Sequence, residues 1–480
     1  MLKSTDKGLR AIPFPMDDPE RIPVERYYDD EFYQAELDHL WPHVWQMACR
    51  LEQIPEVGDW IEYTNVGQSV LVVRTKDGVK AWYNACRHRG VPIAGGTTVC
   101  SSHSTAYGNC SKTGFICPFH GWRWNMDGEN TMVYGKHLFS ERQLEEDDIN
   151  LVPCRVETAI GCAFINFDDD APSLRECLGP VLDRFEAHNT GMLRAEWQFG
   201  TVLPANWKIA MEAFMEGYHV MQTHPQLYKA HSEAHIDSYD NPDETQSSVA
   251  ASRSAAKGTS TKVEVAAQFE HFELLCEGMA GMIHQKEVEI ARELLDADLP
   301  EDASEGLPQW FGLLMQQITE QLRAKGEPVP DLIKVSQSDP VNAVEFLFPH
   351  FFLLPVFSSM SSYRIRPLGP EKCFFEIWSL TLFPEGEEPD PVMEPTVLPY
   401  DSPEFPPIPR QDYSNIPIQQ RGLHAKGFDF MRLSKATEGL VSNYQRIIDG
   451  YLAGVPQEKL ALATNELGGN FDGPIKDLDI

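Results

Sequence analysis

Two short Cys/His motifs constrain the fold of this chain more than any other feature of its sequence. The first motif contains Cys86 and His88, and the second contains Cys117 and His120. Only one or two residues separate the cysteine from the histidine, so both side chains of a motif can converge from one tight loop. Together the motifs supply two thiolates and two imidazoles, the ligand set of a [2Fe-2S] cluster in which two histidines bind one of the irons. These four residues are the predicted cluster ligands.

Two other interpretations of these residues remain open from the sequence. The same ligand types hold structural zinc, and buried thiols and histidines also occur in ordinary cores. A further Cys-x-x-His pattern, Cys100 to His103, lies between the motifs. It has no equivalent of Pro118 and Trp122, which frame the second motif. We therefore expect Cys117, rather than Cys100, to bind the cluster.

The composition excludes several classes of partner. The 480 residues include 40 Lys+Arg and 72 Asp+Glu, and the formal net charge of -32 repels nucleic acid and anionic membranes. The longest apolar run, residues 346–357, contains two prolines and is too short to span a bilayer. Residues 1–20 lack the apolar core of a signal peptide, and ten cysteines in so long a chain do not resemble a disulfide framework. We expect a cytoplasmic protein with reduced thiols.

Residues 40–170 are expected to form a small all-β domain that carries both motifs. Short β-prone runs alternate with turn signals such as Asp77-Gly78. One run, residues 79–83, leads directly into Cys86, which places the motif at a strand end.

Residues 1–39 and 171–480 are expected to form a second domain of mixed helix and strand. The spacing of apolar residues predicts a helix over 206–220, strands within 343–383 and a closing helix over 424–452, whole or broken near residues 432–434.

A second metal site is predicted near the first of these helices. Glu216, His219 and His224 form the pattern Glu-x-x-His-x-x-x-x-His. Since a five-residue step turns about 140° around a regular helix, the helix should end or distort near His224, before Pro225. Two imidazoles and one carboxylate on one face of an iron leave positions open for O2 and substrate. Two histidines on a helix are also common as ordinary, partly buried residues.

The combined motifs resemble the α subunit of the Rieske non-haem iron aromatic-ring-hydroxylating oxygenases over roughly residues 40–452. Besides the two Cys/His motifs, the resemblance rests on Asn206-Trp207-Lys208, Glu216-x-Tyr218-His219 with His224, Asp412-x-x-Asn415 and Gln420-Arg421-Gly422-Leu423. It implies an α+β chain, with a small all-β Rieske [2Fe-2S] domain and a helix-grip catalytic domain built on an antiparallel sheet.

The resemblance also implies roles for individual residues. Asp412 would be the third ligand of a mononuclear iron held by His219 and His224. Glu216 would bridge an iron-ligand histidine to a cluster histidine of a neighbouring subunit. In many ring dioxygenases the bridging acid is Asp, whereas Glu resembles the branch that includes quaternary-amine oxygenases, and Ala213 stands where Asn is common. These departures bear on the choice of substrate.

The implied function is that of a terminal oxygenase component. Electrons from NAD(P)H would arrive through a reductase, with or without a ferredoxin, and O2 would be used to cis-dihydroxylate an aromatic or polycyclic substrate. Rieske monooxygenation or oxidative demethylation is the nearest alternative, and electron transfer without oxygen chemistry is a second. The family implies a homotrimer, with or without a β subunit. Residues 237–261 are expected to form a mobile loop over the entrance of the active site.

Overall fold

The computed structural model describes residues 9–95, 106–229, 259–279 and 281–480, and it has the predicted α+β architecture. The pattern from Cys100 to His103 and most of the loop expected at 237–261 lie outside these residues. Among the described residues, no helix combines the length and hydrophobicity needed to cross a bilayer.

The strands, in chain order, are β1 (Arg21–Pro23), β2 (Gln46–Arg50), β3 (Asp59–Asn65), β4 (Gln68–Thr75), β5 (Gly78–Tyr83), β6 (Tyr107–Asn109), β7 (Phe115–Ile116), β8 (Arg123–Trp124), β9 (Asn130–Met132), β10 (Arg155–Ala159), β11 (Cys162–Asn166), β12 (Arg194–Leu203), β13 (Glu345–Leu347), β14 (Phe351–Pro355), β15 (Ser359–Gly369), β16 (Lys372–Thr381), β17 (Thr396–Val397) and β18 (Phe430–Arg432). The α-helices are α1 (Asp30–His39), α2 (Glu146–Ile149), α3 (Leu174–Ala187), α4 (Trp207–Glu212), α5 (Val220–Thr223), α6 (Pro225–Lys229), α7 (Thr261–Gly278), α8 (Gln285–Glu293), α9 (Ala303–Ala324), α10 (Leu332–Ser338), α11 (Pro407–Leu423), α12 (Gly439–Ala453) and α13 (Gln457–Leu467).

Small antiparallel sheets form the part of the chain that carries the Cys/His motifs. Their strand orders are β5-β4-β3-β6, β7-β8-β9 and β10-β11-β2. The first motif follows β5, and the second lies between β7 and β8. Both motifs therefore lie at strand ends, as the sequence indicated, while the boundary at residue 170 stays a prediction.

A six-stranded sheet of order β13-β14-β15-β16-β12-β17 organises the rest of the chain. Its pairs are antiparallel except for the short edge pair of β12 and β17. Every residue of β16 after Lys372 is buried, so both faces of this strand are covered. Helix α4 packs on β15 and β16, and α11 packs on α4 and β12. These contacts bring the segment of the second predicted metal site against the sheet.

A buried charge cluster ties this sheet to the motif-bearing sheets. Glu376 accepts hydrogen bonds from Arg364 and Arg366 at 2.7 to 3.2 Å. Burial would raise the pKa of Glu376, but the two guanidinium charges hold it below its ordinary value. The other ends of the arginines donate to Ala48 O and to Thr64 O, both at 2.6 Å. The cluster therefore fixes β2 and β3 against the central sheet.

Two of the predicted helices are wrong in extent. Helix α4 ends at Glu212, and the chain turns before α5 begins at Val220, so Glu216 does not share a helix with His219. Residues 424–438 contain strand β18 instead of helix, because β18 pairs with the distant strand β1. Helical periodicity within a segment cannot reveal such a long-range pairing.

Candidate metal centres

The loops of the two Cys/His motifs have the same backbone hydrogen bonds. In each loop the cysteine N donates to the carbonyl five residues later, at 2.8 Å, and a glycine N donates back to the cysteine carbonyl. Gly90 and Gly121 are these glycines, and they have φ angles of 78° and 72°. A side chain disfavours this left-handed backbone, which explains why each turn ends on glycine.

The four predicted cluster ligands converge at these loops. Cys86 and Cys117 are buried in the same apolar cluster. The rings of His88 and His120 are partly exposed, with centroids 4.7 Å apart. His88 also stacks on Trp122 at 5.2 Å. The loops thus present a buried thiol pair and, nearer the surface, an imidazole pair.

This donor set fits a two-iron cluster bound by cysteines on one iron and histidines on the other. His88 Nδ1 is a buried nitrogen without a hydrogen-bond partner, and such atoms are rare unless they meet a ligand. Burial and the neighbouring His120 and Arg89 lower the pKa of His88, which favours the neutral imidazole that binds metals. Burial also raises the pKa of Cys86, and coordination of iron would offset that cost of forming the thiolate.

His219, His224 and Asp412 form a second candidate metal centre. His219 is the N-cap and His224 the C-cap of the short helix α5, while Asp412 lies on α11. One possible ligand atom from each residue lies within 4.8 Å of the other two. Asp412 Oδ1 is 3.1 Å from His224 Nε2 and 3.8 Å from His219 Nε2. Two imidazoles and a carboxylate on one side of a metal are the donor set of non-haem iron oxygenases.

The backbone leaves helical geometry at His224. This break was expected, because a five-residue step from His219 turns about 140° around a regular helix. The φ and ψ angles of His224 are -120° and 59°, and the next helix begins at Pro225. This break turns the His224 ring toward His219, and the two ring centroids are 5.3 Å apart.

Each of these histidines is oriented by an acceptor at Nδ1. Glu216 Oε1 lies 2.9 Å from His219 Nδ1, and its other oxygen accepts from His219 N at 2.9 Å. Gln411 Oε1 lies 2.8 Å from His224 Nδ1. An Nδ1 that donates to oxygen leaves the lone pair on Nε2, so both Nε2 atoms are available on the side of Asp412.

Acidic groups dominate the electrostatics around His219. Burial lowers its pKa, but the hydrogen bond and charge of Glu216, together with the charge of Asp412, raise it to about 9. The same two carboxylates favour a metal cation at this position.

A cavity of about 570 Å³ opens on the second centre. Its lining includes His219, His224 and Asp412 together with one face of α7, parts of α9 and residues 340–357. The lining is mostly apolar, and five phenylalanines contribute to it: Phe214, Phe272, Phe311, Phe357 and Phe471. None of the described lining residues is lysine or arginine.

Sequence reasoning missed Gln411 and, although it suggested an apolar pocket, could not name the residues that line the cavity. Glutamine carries no metal signature, and the only local signal for Gln411 is its position next to Asp412. The cavity forms between segments that are distant in sequence, so no single periodic segment indicates it.

Two family models match the chain. One is described as the Rieske [2Fe-2S] domain and matches residues 44–135. The other is described as the ring hydroxylating alpha subunit (catalytic domain) and matches residues 182–288. The first range contains all four predicted cluster ligands, and the second contains Glu216, His219 and His224.

Curated relatives include both monooxygenases and dioxygenases. The oxygenase subunit of carnitine monooxygenase from Escherichia coli K12 is 28% identical over 210 residues, which is 42% of this chain and 52% of the relative. The α subunit of biphenyl 2,3-dioxygenase from Rhodococcus jostii RHA1 is 32% identical over 214 residues, 42% of this chain and 43% of that subunit. The chain thus spans about half the length of the relatives it matches.

Solved structures with a similar fold cover almost the whole chain. Naphthalene 1,2-dioxygenase from Rhodococcus sp., bound to indole, superposes with a TM-score of 0.58 at 18% identity and covers 92% of this chain and 96% of that one. A quaternary ammonium Rieske monooxygenase bound to L-carnitine gives 0.56 at 16% identity, with 92% and 99% coverage. At these identities the likeness concerns the fold alone.

Proposed function

We propose that this chain, which matches a Rieske [2Fe-2S] domain and the catalytic domain of a ring hydroxylating alpha subunit, is a terminal oxygenase component. Its proposed substrate is a neutral aromatic or polycyclic compound. When bound, the cluster supplies electrons one at a time and the iron supplies the reaction with O2. The proposed cluster ligands are Cys86, His88, Cys117 and His120, and the proposed iron ligands are His219, His224 and Asp412.

The apolar cavity at the second centre is the observation that supports the proposed class of substrate. Its volume of about 570 Å³ suits a small organic molecule, and its walls are rich in phenylalanine. A neutral aromatic compound would lose little solvation there and would pack against the rings. A substrate packed against these walls would exclude water from the ligand atoms of His219, His224 and Asp412. We propose cis-dihydroxylation as the reaction.

Monooxygenation or oxidative demethylation of a quaternary amine is the second candidate. It is favoured by the relatives named carnitine monooxygenase and glycine betaine monooxygenase oxygenase subunits, and aromatic walls can hold a quaternary ammonium group. Carnitine and glycine betaine each carry a carboxylate beside the quaternary ammonium group. That carboxylate would need a cationic partner, and the described lining offers no lysine or arginine. The phenylalanine-rich walls make a neutral aromatic substrate the first candidate.

Labelled oxygen distinguishes the two candidates. The protein would be reduced anaerobically, exposed to ¹⁸O₂ with a panel of aromatic and methylated-amine compounds, and its products weighed. Two labelled oxygens in one aromatic product support the proposal, whereas one labelled oxygen or a lost methyl group moves the protein to the second candidate. A reducible cluster with no product across the panel would favour an electron carrier.

We propose that Glu216 links His219 to a cluster histidine of a neighbouring subunit. Its carboxylate already accepts from His219 Nδ1 and N, yet its side chain is 13% exposed, so a further donor can reach it. Glu216→Gln removes the charge and one acceptor. We expect both metal sites to stay occupied while turnover falls about 10- to 100-fold, the range typical for partners of metal-binding histidines. Iron content and single-turnover kinetics measure the two effects.

Glu371→Gln is the matched control. Glu371 also pairs with a histidine, at 2.7 Å from His424 Nε2, but both side chains are exposed. This variant should turn over like the unmodified protein. Equal turnover of Glu216→Gln would remove the bridging role.

The partners and the location follow from the proposed function and stay predictions. They are a reductase, with or without a ferredoxin, that draws electrons from NAD(P)H, a homotrimer with or without a β subunit, and a cytoplasmic location. Mass measurement of the native assembly tests the trimer.

A further inference from the structure

We propose that Gln411 is a positioning residue that fixes the tautomer and the orientation of His224 for metal binding. The inference rests on the proposed function, because it concerns the mononuclear iron site. Gln411 Oε1 lies 2.8 Å from His224 Nδ1, while Asp412 Oδ1 lies 3.1 Å from His224 Nε2. Two consecutive residues of α11 therefore contact the two nitrogens of one imidazole.

The Gln411 amide is also paired with the amide of Gln226. Gln226 Nε2 donates to Gln411 Oε1 at 2.8 Å, and Gln411 Nε2 donates to Gln226 Oε1 at 3.3 Å. In this arrangement the Gln411 NH2 group has an acceptor in Gln226, and its oxygen faces His224. An amide oxygen only accepts hydrogen bonds, so His224 Nδ1 must carry the proton and Nε2 must keep its lone pair.

Helix α11 connects to the α5 segment at a further point. Asn415 Nδ2 donates to Thr223 Oγ1 at 3.2 Å, next to His224 in sequence. One rigid helix thus supplies the third proposed ligand, the orienting amide of the second ligand and a contact to its backbone segment. Groups that share a rigid element keep their relative positions better than groups on separate loops.

The two proposed ligand histidines differ in the charge of their orienting partner. Glu216 accepts from His219 as an anion, whereas Gln411 accepts from His224 as a neutral amide. The neutral partner fixes the tautomer without adding a third carboxylate beside Glu216 and Asp412. This difference predicts that Gln411 can be replaced by another acceptor but not by an apolar side chain of the same length.

Metal titration tests the inference without turnover. The mononuclear iron would be removed with a chelator while the cluster is kept, and the protein would be titrated anaerobically with Co²⁺, whose visible bands report its ligand geometry. In Gln411→Met the acceptor is lost at nearly constant shape, and we expect Co²⁺ to bind about 10- to 100-fold more weakly with altered bands. Gln411→Glu keeps an acceptor and should bind at least as tightly as the unmodified protein.

Gln419→Leu is the control on the same helix. Gln419 is exposed and contacts only a methionine sulfur among the hydrogen bonds described, so its loss should leave Co²⁺ binding unchanged. The cluster absorption and the melting temperature show whether each variant is folded. If Gln411→Met does not fold, Gln411→Asn repeats the test, because it withdraws the amide by one methylene group.

The outcomes separate the inference from the proposed function. Equal Co²⁺ affinity and equal bands in a folded Gln411→Met protein would overturn the positioning role while leaving the metal site intact. Failure of the unmodified protein to bind Co²⁺, or unchanged binding in His224→Ala, would instead overturn the proposed iron site. Weaker binding in Gln411→Met with recovery in Gln411→Glu supports both.

Discussion

Replacing Asp412 with alanine is expected to remove the mononuclear iron and leave the two-iron cluster in place. Asp412 Oδ1 is the point toward which His219 Nε2 and His224 Nε2 converge, and its side chain is almost fully buried. Without the carboxylate the site keeps two imidazoles and loses the charge that balances a dication. The iron content should fall from about three to about two per chain. Substrate-dependent O2 consumption should fall at least about 100-fold.

The control for this change is Ser414→Ala on the same helix. Ser414 is exposed and, among the hydrogen bonds described, its hydroxyl donates to Arg410 O within α11, so its loss should alter neither iron content nor O2 consumption. Three irons and normal O2 consumption in Asp412→Ala would contradict the assignment of this ligand. An unmodified protein that holds only two irons would identify the chain as an electron carrier.

Replacing Cys117 with serine is expected to abolish the [2Fe-2S] cluster. Cys117 is buried, like Cys86 of the other loop. Backbone hydrogen bonds close the loop of Cys117, so another ligand has little freedom to take its place. The visible absorption of the cluster should disappear, and iron should fall to about one per chain. In an anaerobic titration with a chemical reductant, the variant should take up no electron at the cluster.

Cys110→Ser is the matched control for the cluster. Cys110 is as buried as Cys117 and packs in the same apolar cluster, but it lies in neither motif. Burial raises the pKa of its thiol to about 11, as expected for an unreactive core cysteine. Its substitution should keep the absorption. A cluster that survives in Cys117→Ser but is lost in Cys100→Ser would move the ligand to the earlier pattern, and one equivalent of zinc in place of iron would indicate a structural zinc site.

The sequence alone indicated the candidate cluster ligands because their chemistry is local, and their assignment stays a prediction. The two cluster loops are short turns whose cysteine, histidine and glycine lie within six residues, so their spacing alone indicated the ligand set. The break at His224 also followed from local geometry, because two side chains five residues apart cannot face one point from a regular helix. The prediction of one helix from Asn206 failed, since α4 ends at Glu212 and α5 begins only at Val220, after a segment in which Glu216 accepts a hydrogen bond from His219 N.

Residues of the site that lie far along the chain from His219 and His224 could not be predicted from local spacing. Asp412 was predicted only through resemblance to a family, since nothing in its own segment marks it as a ligand. Gln411, 187 residues beyond His224, had no signal except its neighbour.

The sequence by itself therefore indicated the α+β class, a Rieske domain and a ring-hydroxylating catalytic domain, together with the cofactors that these domains imply, because their motifs are residue types at short spacings. Only the tertiary structure decided how α11 presents Gln411 and Asp412 to the two nitrogens of His224, and how α7, α9 and the sheet enclose an apolar cavity beside them. Both features arise from packing between segments far apart in the chain, and local periodicity holds no information about which distant segments meet.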